Sequence, residues 1–482
     1  MNPTKKAAQV WVLALTSAAS LMVALDQLVV ATALSTIRED LHASIETLEW
    51  TVNAYTLTFA VLLMTGAALG DRLGRRRMFV SGLALFTAAS AACALAPSIG
   101  WLILARAVQG TGSALVMPLA MALLSAAFPP ETRGRALGLF TGLTGVAVVG
   151  GPIVGGAVTE DLAWQWIFWV NIPIGLLVVP LVFARIEESF GPRTRIDVPG
   201  LALATGGALG LVWGLVRGNS QGWTSAEVVA TLAAGALLCV AFVAWEVRAE
   251  APMLPMGFFR TPAFAAGNAA TFLMYGSLFS SVFFVAQYLQ VSLGYGPLGA
   301  GVRTLAWTCA IFFVAPAAGA LTDRIGARAL IGVGLSMQAA GIGWIALNVH
   351  DGRPYSSSVA ALVIAGCGIS MAMPAVQNAI IGSVPHGAIG KASGTFNTLR
   401  QLGGVFGVAI LAATFAANGS YASPAAFGDG TAPALAVAAG MSLLAGMIGL
   451  ATPGRRVRRP EVAPLPAQTP VLVGEGGSSA AR

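Results

Sequence analysis

Charge is scarce in this chain. Asp, Glu, Lys and Arg make up 10% of its 482 residues, against 56% hydrophobic residues and a mean hydropathy of +0.77. A soluble domain carries about 25% charged residues, so a soluble globular fold is excluded and a polytopic membrane protein is expected. Histidine is scarcer still: His42, His350 and His386 fall in predicted loops, far apart. The four cysteines, Cys93, Cys239, Cys309 and Cys367, lie singly in apolar runs and match neither a disulfide framework nor a metal spacing. They read as small buried residues. There is no Walker-type Gly-Lys loop. An ATPase, a metal site and an enzyme built on a His, Cys or acidic constellation are therefore not supported, and no cofactor is expected. A cleavable leader is not expected either. Ala31-Thr32-Ala33 has the small-x-small form, but the apolar run before it is too long.

What the chain has is long apolar runs, each near the roughly 20 residues a bilayer requires. They cover 10–34, 48–70, 78–96, 101–124, 136–158, 164–184, 198–216, 226–246, 262–289, 298–320, 329–347, 359–381, 393–416 and 431–452. The runs are continuous rather than alternating, which predicts fourteen helices and not a barrel. The net charge of +7 follows the same map. With the N-terminus inside, 21 of the 27 Lys and Arg residues fall on the cytoplasmic side and only Arg38, Arg217 and Arg353 fall outside. That bias predicts cytoplasmic termini and reads as a topology signal, with no nucleic-acid partner. Arg106, Arg303 and Arg400 fall within spans.

Two loops repeat. "GAALGDRLGRRR" (Gly66–Arg77) follows span two and "GALTDRIGAR" (Gly319–Arg328) follows span ten. Equivalent six-span halves would place these loops six spans apart, yet they are eight apart. Spans seven and eight are therefore read as an insertion. The expected organisation is a six-helix bundle over 1–197, two inserted helices over 198–250, a second six-helix bundle over 251–453 and a disordered cytoplasmic tail over 454–482. Parallel repeats in a membrane protein point to a transporter whose halves rock about a central site. In the loops, Gly74 and Gly326 permit tight turns. Asp71 and Asp323 can accept from Arg or from helix N-termini. Arg72, Arg75, Arg76, Arg324 and Arg328 can pair with those acids, with helix C-termini or with lipid phosphate. Such a cluster can latch helix ends in one conformation and release them in another.

At this point the chain resembles the major facilitator superfamily, in its fourteen-span drug:proton antiporter branch. The resemblance rests on the repeated loops and on four further segments. They are "LDQLVVATAL" (Leu25–Leu34), "LILARAVQGTGSA" (Leu102–Ala114), "GGPIVGG" (Gly150–Gly156) and "WQWIFWVNIPIG" (Trp164–Gly175). Ala67 and Ala147 stand where the family patterns have Gly, and both remain small. The resemblance implies an all-α integral membrane protein of the bacterial cytoplasmic membrane. It would export hydrophobic or amphipathic drugs in exchange for protons, by alternating access and as a monomer, with the proton gradient as its energy source. A facilitator-type importer or symporter of a small organic solute is the alternative.

An acid inside the bilayer costs about 2.5–3.5 kcal/mol on insertion scales and is functional by default. Asp26 is such an acid, and Arg106 lies at a compatible depth. A nearby Arg favours the carboxylate while burial favours the protonated form, and these opposed pulls make a proton-coupling pair. Gly151 and Gly155 have small-xxx-small spacing. With Pro152, which removes a helix hydrogen bond, and Gly156, they fit a kinked seal against leak and plain close packing equally well, and the resemblance implies the seal. Asn53 and Tyr55 in span two, with Tyr275 and Gln287 in span nine, are offered as a group lining a greasy cavity with a few polar groups. Asn397 and Arg400 fall in the inner half of span thirteen. There Arg400 either steadies an interface or snorkels.

Overall fold

The computed structural model describes residues 3–191, 196–350, 354–385 and 388–452. Every regular element among them is helical. The first half runs α1 (Pro3–Asp40), α2 (Ile45–Leu73), α3 (Arg75–Ala94), α4 (Ile99–Ala127), α5 (Pro130–Asp161), α6 (Trp166–Trp169) and α7 (Asn171–Arg185). Next come α8 (Val198–Gln221) and α9 (Ala226–Arg248). The second half runs α10 (Pro262–Val291), α11 (Pro297–Arg303), α12 (Leu305–Thr308), α13 (Ala310–Ile325), α14 (Ala327–His350), α15 (Ser356–Ile381), α16 (Ile389–Asn418) and α17 (Pro424–Gly449). Among the described residues, fourteen helical spans are long and apolar enough to cross a membrane. The predicted tail over 454–482 lies outside the described residues.

Two spans expected to be continuous are broken. Span six divides at Val170 into α6 and α7, and Pro173, which has no N–H for the preceding turn, follows the break. Span ten divides into α11, α12 and α13, and the Thr304 hydroxyl at the first break donates to the Gly301 carbonyl at 2.7 Å. Other helices overrun their apolar cores because backbone hydrogen bonding continues past the hydrocarbon. Span fourteen begins at Pro424, capped by Ser423, whose hydroxyl accepts from the Ala426 N–H at 3.1 Å.

Small residues bring the helices together. A Cβ at Gly110 of α4 would lie 2.3 Å from the Tyr55 carbonyl oxygen of α2, and one at Gly112 would lie 2.7 Å from the Phe86 nitrogen of α3. The second half repeats the device between α14 and α15, where Gly334 and Gly368 face each other's backbone. Lipid is as apolar as these side chains, so close backbone approach rather than hydrophobic burial drives such contacts. The helices α8 and α9, read from the sequence as an insertion, pack on each other, and α8 lies along the seam between α2 and α16. There Trp213 meets Trp50 at 5.6 Å, and the Asn219 amide donates to the Ala413 carbonyl.

The end carrying the repeated loops is here called the basic end. One apolar core runs through the second half and, at the opposite end, crosses into the first, joining Val30, Leu34, Ile37 and Trp164 to Phe284, Tyr288 and Phe415. On the basic side the first half keeps a separate core built on Leu15, Phe79, Leu83, Leu123 and Val182. The halves are thus fused at the opposite end. Toward the basic end, their contact narrows chiefly to α2 against α16.

Candidate functional site

Asp26 lies in α1 and Arg106 in α4, 3% and 1% exposed. Arg106 Nη1 donates to Asp26 Oδ2 at 2.6 Å and to Gln109 Oε1 at 2.7 Å. Its Nε donates to the Thr51 carbonyl at 3.1 Å, and its guanidinium lies 4.1 Å over the Tyr55 ring. The other carboxylate oxygen, Asp26 Oδ1, accepts from Gln109 Nε2 at 2.8 Å and from Asn171 Nδ2 at 2.9 Å. Ser90 of α3 accepts from Gln109 at 2.9 Å and from Asn171 at 3.3 Å. Helical spacing explains the convergence: Arg106, Gln109 and Ser113 share one face of α4. Gly110 and Gly112 let that face approach α2 and α3 closely. Gln109 and Asn171 stand inside the motifs that carried the family resemblance, but only the fold shows that they hold Asp26. A buried ion pair persists only when its remaining donors and acceptors are satisfied, and this network satisfies them.

The loop after α2 is tied to the end of α7. Arg75 pairs with Asp71 at 2.7 Å. Glu188, which sequence reasoning did not single out, accepts from the backbone N–H groups of Arg76 and Arg77 at 2.8 and 3.2 Å. A carboxylate there meets the positive end of α3. Gly74 has φ 112°, and a Cβ at that position would lie 2.8 Å from the Glu188 carboxyl. Arg76 donates to the Ile186 carbonyl at 3.1 Å, at the end of the last helix of the first half. Its equivalent Arg328 donates to the Thr452 carbonyl at 2.9 Å, just past the last helix of the second half. Gly326 repeats the positive φ at 88°. Both copies thus tie the same motif Arg to the end of the sixth helix of their half. Arg72 and Arg324 are exposed. The side chain of Asp323 lies outside the described residues.

The "GGPIVGG" segment lies where α5 meets both α1 and the second half. α5 runs through Pro152 as one helix. A Cβ at Gly151 would lie 2.8 Å from Leu28 Cβ, and one at Gly155 would lie 2.4 Å from Thr32 Oγ1. A Cβ at Gly156 would lie 2.5 Å from the Pro297 carbonyl oxygen, and one at Gly301 of α11 would lie 2.1 Å from that of Pro152. Glu160 accepts from the Leu298 N–H at 2.8 Å at the start of α11.

The four residues offered as a cavity group do not gather in one place. Tyr55 lies beneath Arg106, its hydroxyl 2.8 Å from Ser113 Oγ. Gln287 accepts from the Tyr421 hydroxyl at the opposite end, where Arg38 lies 4.2 Å over the Tyr421 ring. Tyr275 of α10 packs against Phe279 and Phe396, with Arg400 5.3 Å from its ring. Asn53 is fully buried, and neither its amide nitrogen nor its oxygen has a partner. Leaving such a group unpaired costs about 1–3 kcal/mol. Asn397 bonds back to the Ser393 carbonyl of its own helix at 2.9 Å. Gln27 of α1 donates across the seam to Gln401 of α16 at 3.2 Å.

Comparison with known proteins gives a consistent result. The model of the Major Facilitator Superfamily matches residues 16–408 and 267–473. The chain is 34% identical over 401 residues to the tetracenomycin C resistance and export protein of Streptomyces glaucescens, covering 83% of this chain and 74% of that protein. It is 36% identical over 422 residues to the cephamycin export protein CmcT of Amycolatopsis lactamdurans, covering 86% of each. It is 36% identical over 462 residues to the puromycin resistance protein pur8 of Streptomyces alboniger, covering 91% and 90%. Among solved structures, a peptide transporter POT in complex with sulfate superposes with a TM-score of 0.68 at 15% identity, covering 91% of this chain and 94% of that one. A D-xylose-proton symporter does so with a TM-score of 0.66 at 15% identity, covering 91% and 97%. At that identity the likeness concerns the fold alone.

Proposed function

Because the chain belongs to the Major Facilitator Superfamily and is not an enzyme, we propose that it exports hydrophobic or amphipathic drug-like molecules in exchange for protons. Three relatives named for antibiotic export or resistance support the direction of transport and the cargo class. The observation that carries proton coupling is the Asp26–Arg106 pair, buried and joined at 2.6 Å.

The positive-inside bias makes the basic end cytoplasmic, in a bacterial cytoplasmic membrane. The conformation described, fused at the opposite end, is then the inward-facing one. In it Asp26 is the carboxylate and Arg106 its counter-ion. In the outward-facing conformation a proton takes the place of Arg106 on Asp26, and Arg106 turns to water or cargo. Return to the inward-facing form restores the ion pair and releases the proton inside. Gln109 and Asn171 hold the carboxylate in place for both exchanges. The α5–α11 glycine contact seals the outer end between them, so that cargo and proton do not cross together. Alternating access of this kind is rigid-body motion of one bundle against the other.

The test is accumulation of amphipathic dyes of either charge in cells with and without the expressed protein. Expression should lower accumulation of at least one dye, and a proton uncoupler should remove the difference. Export that persists after the gradient is collapsed would overturn the coupling.

A further inference from the structure

α16 divides into faces. Gly403 and Gly407 turn to α10, where a Cβ would lie 2.2 Å from the Phe272 carbonyl oxygen and 2.3 Å from that of Gly276. Val405 and Ala409 turn to α2 and α8, in one core with Leu57, Val61 and Val212. Arg400 and Gln401 fall between these faces, on the side where Gln27 reaches across from α1. Both residues therefore border the seam between the halves.

This seam holds buried N–H groups that lack a partner. The Arg400 guanidinium hydrogen-bonds the side chain of Tyr275, but its Nε is buried and unpartnered, and no ion pair to a carboxylate is seen for it among the described residues. Gln401 is fully buried, its oxygen taken by Gln27 and its Nε2 unpartnered. Asp26 is not available to Arg400, since Arg106, Gln109 and Asn171 already occupy it. A guanidinium carries only donors, in a fork that fits a carboxylate. An Arg in the membrane with no anion beside it calls for one. Beside it stands an aromatic wall of Tyr275, Phe279 and Phe396.

We propose that this seam binds an aromatic molecule bearing an acidic group, a carboxylate or a phenolate. The acid pairs with Arg400 and the neighbouring Gln401 amide, and the ring system packs on the Tyr275 wall. The inference deepens the export reading by naming the cargo class, and it rests on that reading for the direction of movement.

Two xanthene dyes of similar shape and opposite charge test it: anionic fluorescein and cationic rhodamine 123. Binding to the purified full chain is followed by fluorescence anisotropy. Fluorescein should bind at least tenfold more tightly than rhodamine 123. Arg400→Gln should weaken fluorescein at least tenfold and leave rhodamine 123 within about twofold, which also reports that the variant is folded. Arg400→Lys should recover most of the loss. Equal or tighter binding of rhodamine 123 by the wild type, or fluorescein affinity unchanged in Arg400→Gln, would overturn the proposal. Fluorescein transport in proteoliposomes separates the two readings. Arg400-dependent binding without gradient-driven transport defeats export and leaves the seam assignment standing. Transport without charge preference defeats the seam assignment and leaves export standing.

Discussion

Asp26→Asn keeps the shape of the side chain and removes its charge. In the wild type, the carboxylate takes Arg106 on one oxygen and the Gln109 and Asn171 amides on the other. An Asn offers one oxygen and one N–H2, so one of these donors must face another donor. Arg106, 1% exposed, is left as an uncompensated charge. Breaking a buried pair by removing one partner costs about 3–5 kcal/mol. At about 1.4 kcal/mol per tenfold, the conformation described loses roughly 100- to 4,000-fold against any in which Arg106 reaches water. Single variants at either residue should therefore be destabilised as well as inactive, and that alone does not separate a proton site from a structural pair. The double variant Asp26→Asn/Arg106→Gln does. It removes both charges, so the stability loss should shrink well below that of either single variant. Drug-coupled proton flux should stay absent, because no group remains to carry the proton. The assay is a pyranine-loaded proteoliposome with an imposed pH gradient and a dye shown to be exported in cells, with thermal stability measured on the same preparations. A double variant that regains wild-type coupled flux would refute the reasoning and leave the pair a packing device.

Two further outcomes follow from the seam. Gly301→Val places a side chain where a Cβ would lie 2.1 Å from the Pro152 carbonyl oxygen, a backbone atom that cannot rotate aside. The opposite end should part, and labelling of a cysteine introduced at Gln290 by a membrane-impermeant thiol reagent should rise severalfold; unchanged labelling would contradict the close-contact argument. Gln27→Leu removes the 3.2 Å hydrogen bond to Gln401, worth about 0.5–1.5 kcal/mol. Protons moved per dye should fall up to about tenfold while fluorescein binding changes less than about threefold, and intact stoichiometry would show that the bond transmits nothing.

Length and hydropathy made the fourteen spans legible, because an apolar run near 20 residues has few other fates. Asp26 and Arg106 were legible as a pair because charges in such runs are few and depth can be counted from the helix ends. Partners that are merely polar were not. Ser90, Gln109 and Asn171 look like ordinary residues of apolar helices until five helices converge on one carboxylate. Glu188 was hidden for another reason. It follows α7 in a short segment, and its role exists only because the chain there folds back onto the start of α3. The cavity group failed as a group because helical phase, not composition, decides which way a residue faces. Tyr55 and Asn53 are two residues apart on α2 and turn to different neighbours.

The two halves repeat their loops but not their chemistry. Arg76 and Arg328 perform the same task at the ends of α7 and beyond α17, so the duplicated framework is mechanical. The ion pair belongs to the first half alone, held by α1, α2, α3, α4 and α7. The guanidinium without a carboxylate belongs to the second half, on α16. A machine that exchanges one solute for another needs the two sites to sense each other without touching. Gln27 is the neighbour of Asp26 in sequence, and Gln401 is the neighbour of Arg400. The single bond between their side chains crosses the seam. Turning α1 to open Asp26 to a proton would rotate Gln27 with it, since both are fixed to one rigid helix. That motion would pull on Gln401 and on the donor cluster beside it. The coupling free energy available through one such bond is small, of order 1 kcal/mol, below the roughly 5.5 kcal/mol that a complete population switch requires. Under the proposed exchange, most of the coupling must therefore come from the charges themselves, Arg106 finding its anion in Asp26 and Arg400 finding one in the cargo.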